Sequence, residues 1–126
     1  MLDKIDESKI NSPSHYNIEG ELETIKKMEM YMAPDKLISW CEGCIFSYID
    51  RAKHKNGLED LHKAMWHVNY VLNQNNNLKR EIDYKIPYKK PVYTFLKFKI
   101  FHFLSDTNFI PVKIILQYMI DNYDNL

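Results

Sequence analysis

Between Asp35 and Asn73 the apolar residues fall into two helical stripes separated by one short basic break, and this constrains the chain more than any other feature. The first stripe runs Leu37, Trp40/Cys41, Cys44/Ile45, Tyr48 and Ile49/Ala52. The second runs Leu58, Leu61, Met65, Val68 and Leu72. Steps of three and four place each set along one side of an α-helix. The break, Lys53-His54-Lys55-Asn56-Gly57, stops the first helix, and Gly57 is expected to supply the positive φ that helix ends favour. Glu59 and Asp60 then open the second helix, where negative charge suits the positive end of the macrodipole. The stretch therefore predicts a helical hairpin with cationic groups gathered at its bend.

The rest of the chain arranges itself around that hairpin. Residues 1–12 are charged and aperiodic and read as a loose N-terminal arm. Pro13-Ser14-His15-Tyr16 reads as a loop, because a residue before proline is steered away from helix. Glu21 to Met32 has helical spacing at Leu22, Ile25, Met28 and Met32, and Pro34 suits the first turn of the next helix. Residues 13–75 thus form one helical domain, and residues 76–126 a C-terminal helical extension packed on the same core or in an oligomer interface. Within that extension, Val92 to Leu104 is so apolar that strand and helix patterns overlap; its length favours helix. Pro111 to Asn122 reads as a last helix, with Val112, Ile115, Leu116 and Met119 inward. Leu78 to Pro91 carries two prolines and receives no assignment. The predicted fold class is all-α.

Composition narrows the function classes. In 126 residues, 17 Lys and Arg balance 17 Asp and Glu, so a site for anions must be local and no general affinity for nucleic acid is expected. No apolar run is long enough to span a bilayer, and two cysteines three apart on one helix are unlike a secreted disulfide framework. A cytoplasmic protein with no membrane partner is the expectation. The surplus of apolar residues in the C-terminal third points to homo-oligomerisation.

Candidate site residues cluster at the hairpin. Arg51 lies one turn inside the bend, where its guanidinium fork can grip a phosphate, or instead pair with Asp60. Lys55 adds charge without demanding geometry, while Lys53 reads as a solvated cation at the helix end. Glu59, Lys63, Trp66 and Tyr70 share the side of the second helix opposite its apolar stripe. Trp66 and Tyr70 one turn apart either stack a base or bury themselves under the Phe-rich segment or another subunit. Glu59 and Lys63 have the spacing of a surface ion pair. Cys41-x-x-Cys44 lacks a second ligand pair, and His62 and His67 point to different sides of their helix, so no metal site and no cofactor is assigned. No phosphate-binding glycine loop, dinucleotide fingerprint or nucleophile elbow is present, and no catalytic residue is assigned.

Several of these segments, taken together, resemble a known family. Pro13-Ser14-His15-Tyr16, Glu23-Thr24-Ile25, Gly43, Tyr48-Ile49, Arg51-Ala52, Lys55, Leu58-Glu59-Asp60-Leu61, Lys63-Ala64 and Trp66 occur in the order of a family of small bacteriophage proteins of unknown function. That family carries a PSHY loop, a G-N-x-x-K-Y-x-x-R-x-x-x-K helix and an E-D-L-x-K-A-x-W/Y helix, and similar segments occur in a phage nucleotide kinase without a P-loop. The resemblance spans Asn11 to Leu72. It implies a nucleotide-type ligand held by His15, Tyr16, Ser47, Tyr48, Arg51, Lys55, Lys63 and Trp66. Cys44 and Ser47 stand where the family has Asn and Lys, so a phosphate site built on that lysine is altered here. The resulting expectation is a phage-encoded protein that binds a nucleotide-derived ligand, for instance a host-defence signal, without transforming it. The alternatives are a nucleoside monophosphate kinase, using Arg51, Lys55 and His15 on phosphate with Glu23 or Asp60 for magnesium, and an inhibitor that grips a host enzyme through Trp66 and Tyr70.

Overall fold

The computed structural model describes residues 18–53, 57–75, 84–87 and 89–126. The N-terminal arm, the His15/Tyr16 loop and Lys55 lie outside them. Five α-helices follow in order: α1 (Ile18–Tyr31), α2 (Pro34–Arg51), α3 (Leu58–Gln74), α4 (Tyr93–Ser105) and α5 (Phe109–Asp121), with one 3-10 turn at Tyr123–Asn125. The described residues contain no strand, so the all-α expectation holds.

The hairpin is α2 against α3, the most extensive pairing in the fold. Cys41, Ile45, Ile49 and Ala52 of α2 meet Leu61, Ala64, Val68 and Val71 of α3, all of them buried. α5 lies on the other side of α3 and brings Val112, Ile115, Leu116 and Met119, while α4 packs on α5 and touches α2. α3 is thereby covered on most of its circumference. Its buried set includes Asp60, Lys63 and His67 as well as the apolar stripe, so the sequence stripe is narrower than the real one. Lys63 and Glu59 are consequently not the surface pair that their spacing suggests.

The segment from Val92 to Leu104 resolves as helix α4, because Tyr93, Leu96, Ile100 and Leu104 recur at helical steps and are its buried residues. Phe95, Phe101 and Phe103 are half-buried against the core, while Phe98 stays 60% exposed. Tyr93 ties α4 to α2 by donating its hydroxyl to the Ile49 carbonyl at 2.9 Å. Thr107 closes α4 in the left-handed conformation (φ 54°), which lets the Asn108 N–H return to the Phe103 carbonyl at 2.9 Å. α5 starts at Phe109, two residues before the expected Pro111; a proline in the first turn removes no needed N–H.

The bend differs from expectation in one respect. Gly57 does adopt positive φ (54°), but as the N-cap of α3 rather than as the end of α2, which is followed by Ala52 in ordinary helical geometry. The break between the helices is longer than one C-cap, so the glycine serves the entry. Lys53 is exposed, as the solvated reading expects, and its ammonium also donates to the Leu126 carbonyl at 2.9 Å and lies over the Tyr93 and Tyr123 rings, clipping the chain's last turn to the hairpin.

The two described helix-associated glycines near the hairpin should respond to alanine in opposite directions. At Gly57 a Cβ would meet the Tyr123 hydroxyl at 2.7 Å and occupy a left-handed φ, so Gly57→Ala should cost about 1–3 kcal/mol. Gly43 is exposed in mid-α2 with nothing within 4 Å of its would-be Cβ, so Gly43→Ala should add about 0.8–1 kcal/mol. Urea unfolding of both variants measures the signs.

Candidate functional site

Arg51 is the last residue of α2 and Asp60 lies in the first turn of α3, so closing the hairpin brings them face to face. The Arg51 Nε donates to Asp60 Oδ2 at 3.2 Å. Lys63, one turn along α3, places its ammonium 3.6 Å from Asp60 Oδ1 and 3.9 Å from Glu59. Tyr48, one turn before Arg51, offers its ring to both cations: the guanidinium carbon lies 4.9 Å from the ring centre and the Lys63 ammonium 5.6 Å. Asp60 is fully buried, and burying a carboxylate costs several kcal/mol unless cations answer it. Here two do. Burial also pushes the Lys63 pKa below the ordinary lysine value. Of the two partners considered for Arg51, the observed one is Asp60. Its side chain is still 42% exposed, which turns the outer edge of the guanidinium toward solvent.

Farther along α3 the surface is aromatic. His67 is fully buried, and its Nδ1 lies 2.8 Å from the Lys63 carbonyl, which can only accept; the proton is therefore on Nδ1. Trp66, Tyr48 and Trp40 surround the imidazole at centroid distances of 4.9, 5.6 and 5.8 Å. Trp66 and Tyr70 stand nearly parallel, 5.9 Å apart at 15°. Tyr70 donates its hydroxyl to Glu29 of α1 at 2.7 Å. Burial, then that hydrogen bond and the Glu29 charge, push the phenol pKa well above its ordinary value. Trp66, Asn69, Tyr70 and Asn73 wall a hollow of about 300 Å³. Asn69 Oδ1 is buried with no hydrogen-bond donor, an acceptor that normally finds a partner. Tyr70 also borders a second hollow of about 210 Å³, lined besides by Glu29, Met32, Pro34, Leu37, Ile38, Val71, Gln74 and Asn75. A wider polar hollow of about 570 Å³, bordered by Lys89, Lys90, Tyr118 and Asn122, lies between the start of α4 and the chain's last turn.

The hairpin thus gathers Tyr48, Arg51 and Lys63 at one end and presents Trp66 less than two turns from Asp60. Ser47 is exposed on α2 beside this group. His15, Tyr16 and Lys55 fall outside the described residues. Trp66 and Tyr70 are half-buried, resting on each other, on His67 and on α1. Asp60 is unsuited to hold magnesium, since it is enclosed by Arg51 and Lys63. Among the described residues no three His, Cys, Asp or Glu side chains converge as a metal site, and Cys41 and Cys44 are not disulfide-bonded. Sequence reasoning missed His67, Trp40 and Asn69. Trp40 belongs to the apolar stripe of α2, and His67 is flanked on α3 by Ala64, Val68 and Val71, all buried; Asn69 gave no signal.

Fold and site define a small all-helical protein built on an ion-paired hairpin with an aromatic, amide-lined hollow along its second helix. The sequence model of a protein family of unknown function, DUF3310, matches residues 10–69. That match covers α1, α2 and most of α3 and stops before α4 and α5. No curated protein and no solved structure matches the chain. No helix among the described residues is long and apolar enough to cross a membrane.

Two predictions follow the electrostatics. Asp60→Ala leaves two inward-facing cations without their buried counter-charge and should cost about 3–5 kcal/mol in denaturant unfolding, whereas a surface variant such as Lys113→Ala should stay within about 0.5 kcal/mol. The second concerns alkali. Tyr70, Tyr93 and Tyr123 are all held neutral above the ordinary tyrosine pKa of 10.0, chiefly by burial. Above that pH the unfolded chain releases protons that the folded chain keeps, so stability falls as pH rises. Lys63 acts oppositely, since the folded state releases its proton first, but it is one group against three. Thermal midpoints should drop above about pH 10, and Tyr70→Phe should make the drop shallower.

Proposed function

We propose that this protein binds a nucleotide-type ligand without transforming it. The observation that carries the reading is the hollow walled by the parallel Trp66 and Tyr70 rings together with Asn69 and Asn73. A nucleobase matches such a lining, with a flat π-face for the indole and polar edges for the asparagines. The Arg51 guanidinium, anchored at Nε by Asp60 and turned outward at its other edge, supplies the phosphate end. Trp66 lies six steps along the helix from Asp60, about 9 Å of axial rise, on the scale of the distance from a base to its phosphate. Asp60 and Lys63 act on this reading as positioning groups that hold the fork in place.

The phage origin implied by the family resemblance, a role in the cytoplasm of an infected cell, and self-association belong to the same proposal. Phe46 and Phe98, 47% and 60% exposed on neighbouring helices, are the surface available for a second copy. Committing Asp60 to Arg51 and Lys63 leaves exposed Glu23 as the carboxylate a kinase would need for its metal.

A thermal-shift panel of mononucleotides, cyclic dinucleotides and ADP-ribose derivatives tests this. A member in thousandfold excess over its dissociation constant should stabilise the fold by about 4 kcal/mol. Trp66→Ala should abolish the shift. Arg51→Lys, which keeps the charge beside Asp60 but loses the fork, should weaken it. A panel with no stabilising member would end the nucleotide reading, and turnover of ATP with a nucleoside monophosphate would replace it with the kinase.

A further inference from the structure

The hollow beside Trp66 and the one beside Met32 and Leu37 have one lining residue in common, Tyr70. Neither exceeds about 300 Å³, at or below the lower end of the range that buries a small organic ligand; joined, they fall within it. Among the described contacts the phenol is held by its stack on Trp66 and by a hydrogen bond from its hydroxyl to Glu29, and the hydrogen bond is the one that ties it to α1. We infer that Tyr70 and Glu29 form a latch, and that releasing it swings α1 and the phenol aside to merge the two hollows into one ligand chamber. This rests on the nucleotide reading for the ligand, but not for the latch.

Three observations support a moving α1. Its packing is thin: among its described side chains only Ile25 is buried, while Met30 and Tyr31 are 74% and 83% exposed. Its connection to α2 is the two residues Met32 and Ala33, and Ala33 is extended (φ −65°, ψ 150°), so rotation there leaves both helices intact. The latch itself joins an exposed carboxylate to a half-buried phenol, a charge-assisted bond that is strong while closed yet open to competition from water or a ligand donor. α2 and α3, by contrast, are held to each other by a continuous buried seam. If the competent form is the minor one, the apparent affinity is reduced by its fraction, and loosening the latch restores it.

The test uses the full chain, wild type and two variants. Tyr70→Phe removes the hydrogen bond, and Glu29→Gln keeps an acceptor but removes its charge. Without ligand, amide hydrogen exchange across residues 23–31 should accelerate about tenfold in Tyr70→Phe, the effect of one such bond, and less in Glu29→Gln, with α2 and α3 unchanged. A nucleotide that the wild type binds should associate faster and bind about three- to tenfold tighter to both variants, in the same graded order. Unchanged exchange in α1 would overturn the latch. Faster exchange with equal or weaker binding would overturn the gate, because Tyr70 would then be a ligand contact and not a barrier. A wild type that binds no nucleotide would defeat the ligand reading alone, and the exchange result would still decide the latch.

Discussion

The buried carboxylate of Asp60 is the interaction on which the rest depends. It sits where α3 begins, and its two cations come from different places: Arg51 from the end of α2, Lys63 from the next turn of α3. An uncompensated charge there would cost more than most single contacts contribute. Closing the hairpin in another register would separate Asp60 from Arg51. The pair therefore fixes both the angle at the bend and the rotation of α3 about its axis. Once that rotation is set, Leu61, Ala64, Val68 and Val71 must face α2 and α5, and Trp66, Asn69 and Tyr70 must lie along the remaining edge. The aromatic hollow is a consequence of the ion pair.

This explains which parts of the molecule are legible in its sequence. Helix positions follow from apolar spacing, a local property, and all five helices fall within a few residues of the expectation. Arg51 with Asp60 was also within reach, as one of two partners that the bend allows. The width of the buried face of α3 was not. Lys63 and His67 look like solvent-facing residues when only α2 is considered, and they become buried because neighbouring elements, together with the aromatic side chains of α2, close over them. Periodicity reports that a helix has an inside; it does not report how many neighbours share it. The hollows were hidden for the same reason. Tyr70 meets Glu29 across forty-one residues of sequence, and no local pattern encodes that pairing.

Gly57 shows the same limit at smaller scale. Its positive φ was evident from residue type, but the helix it serves was not. A glycine after a helix and a glycine before the next are indistinguishable in sequence when the turn is five residues long. The deciding fact is tertiary: Tyr123 packs its hydroxyl where a side chain at Gly57 would be, so the C-terminal turn requires the glycine at the entry to α3.

The ion-paired centre is also less complete than its burial suggests. Asp60 Oδ1 has no hydrogen-bond donor; the Lys63 ammonium stands 3.6 Å away, near enough for Coulomb attraction and too far for a good hydrogen bond. Apolar residues of similar size would often stabilise such a position as well or better. A partly satisfied polar network in a low-dielectric setting is costly, and its cost falls if one member gains a partner. Asp60 cannot gain an anion, and Lys63 is enclosed. Arg51 alone has both an exposed edge and donors to spare. The imbalance of the centre is therefore eased at its outer side, where the half-exposed arginine meets water.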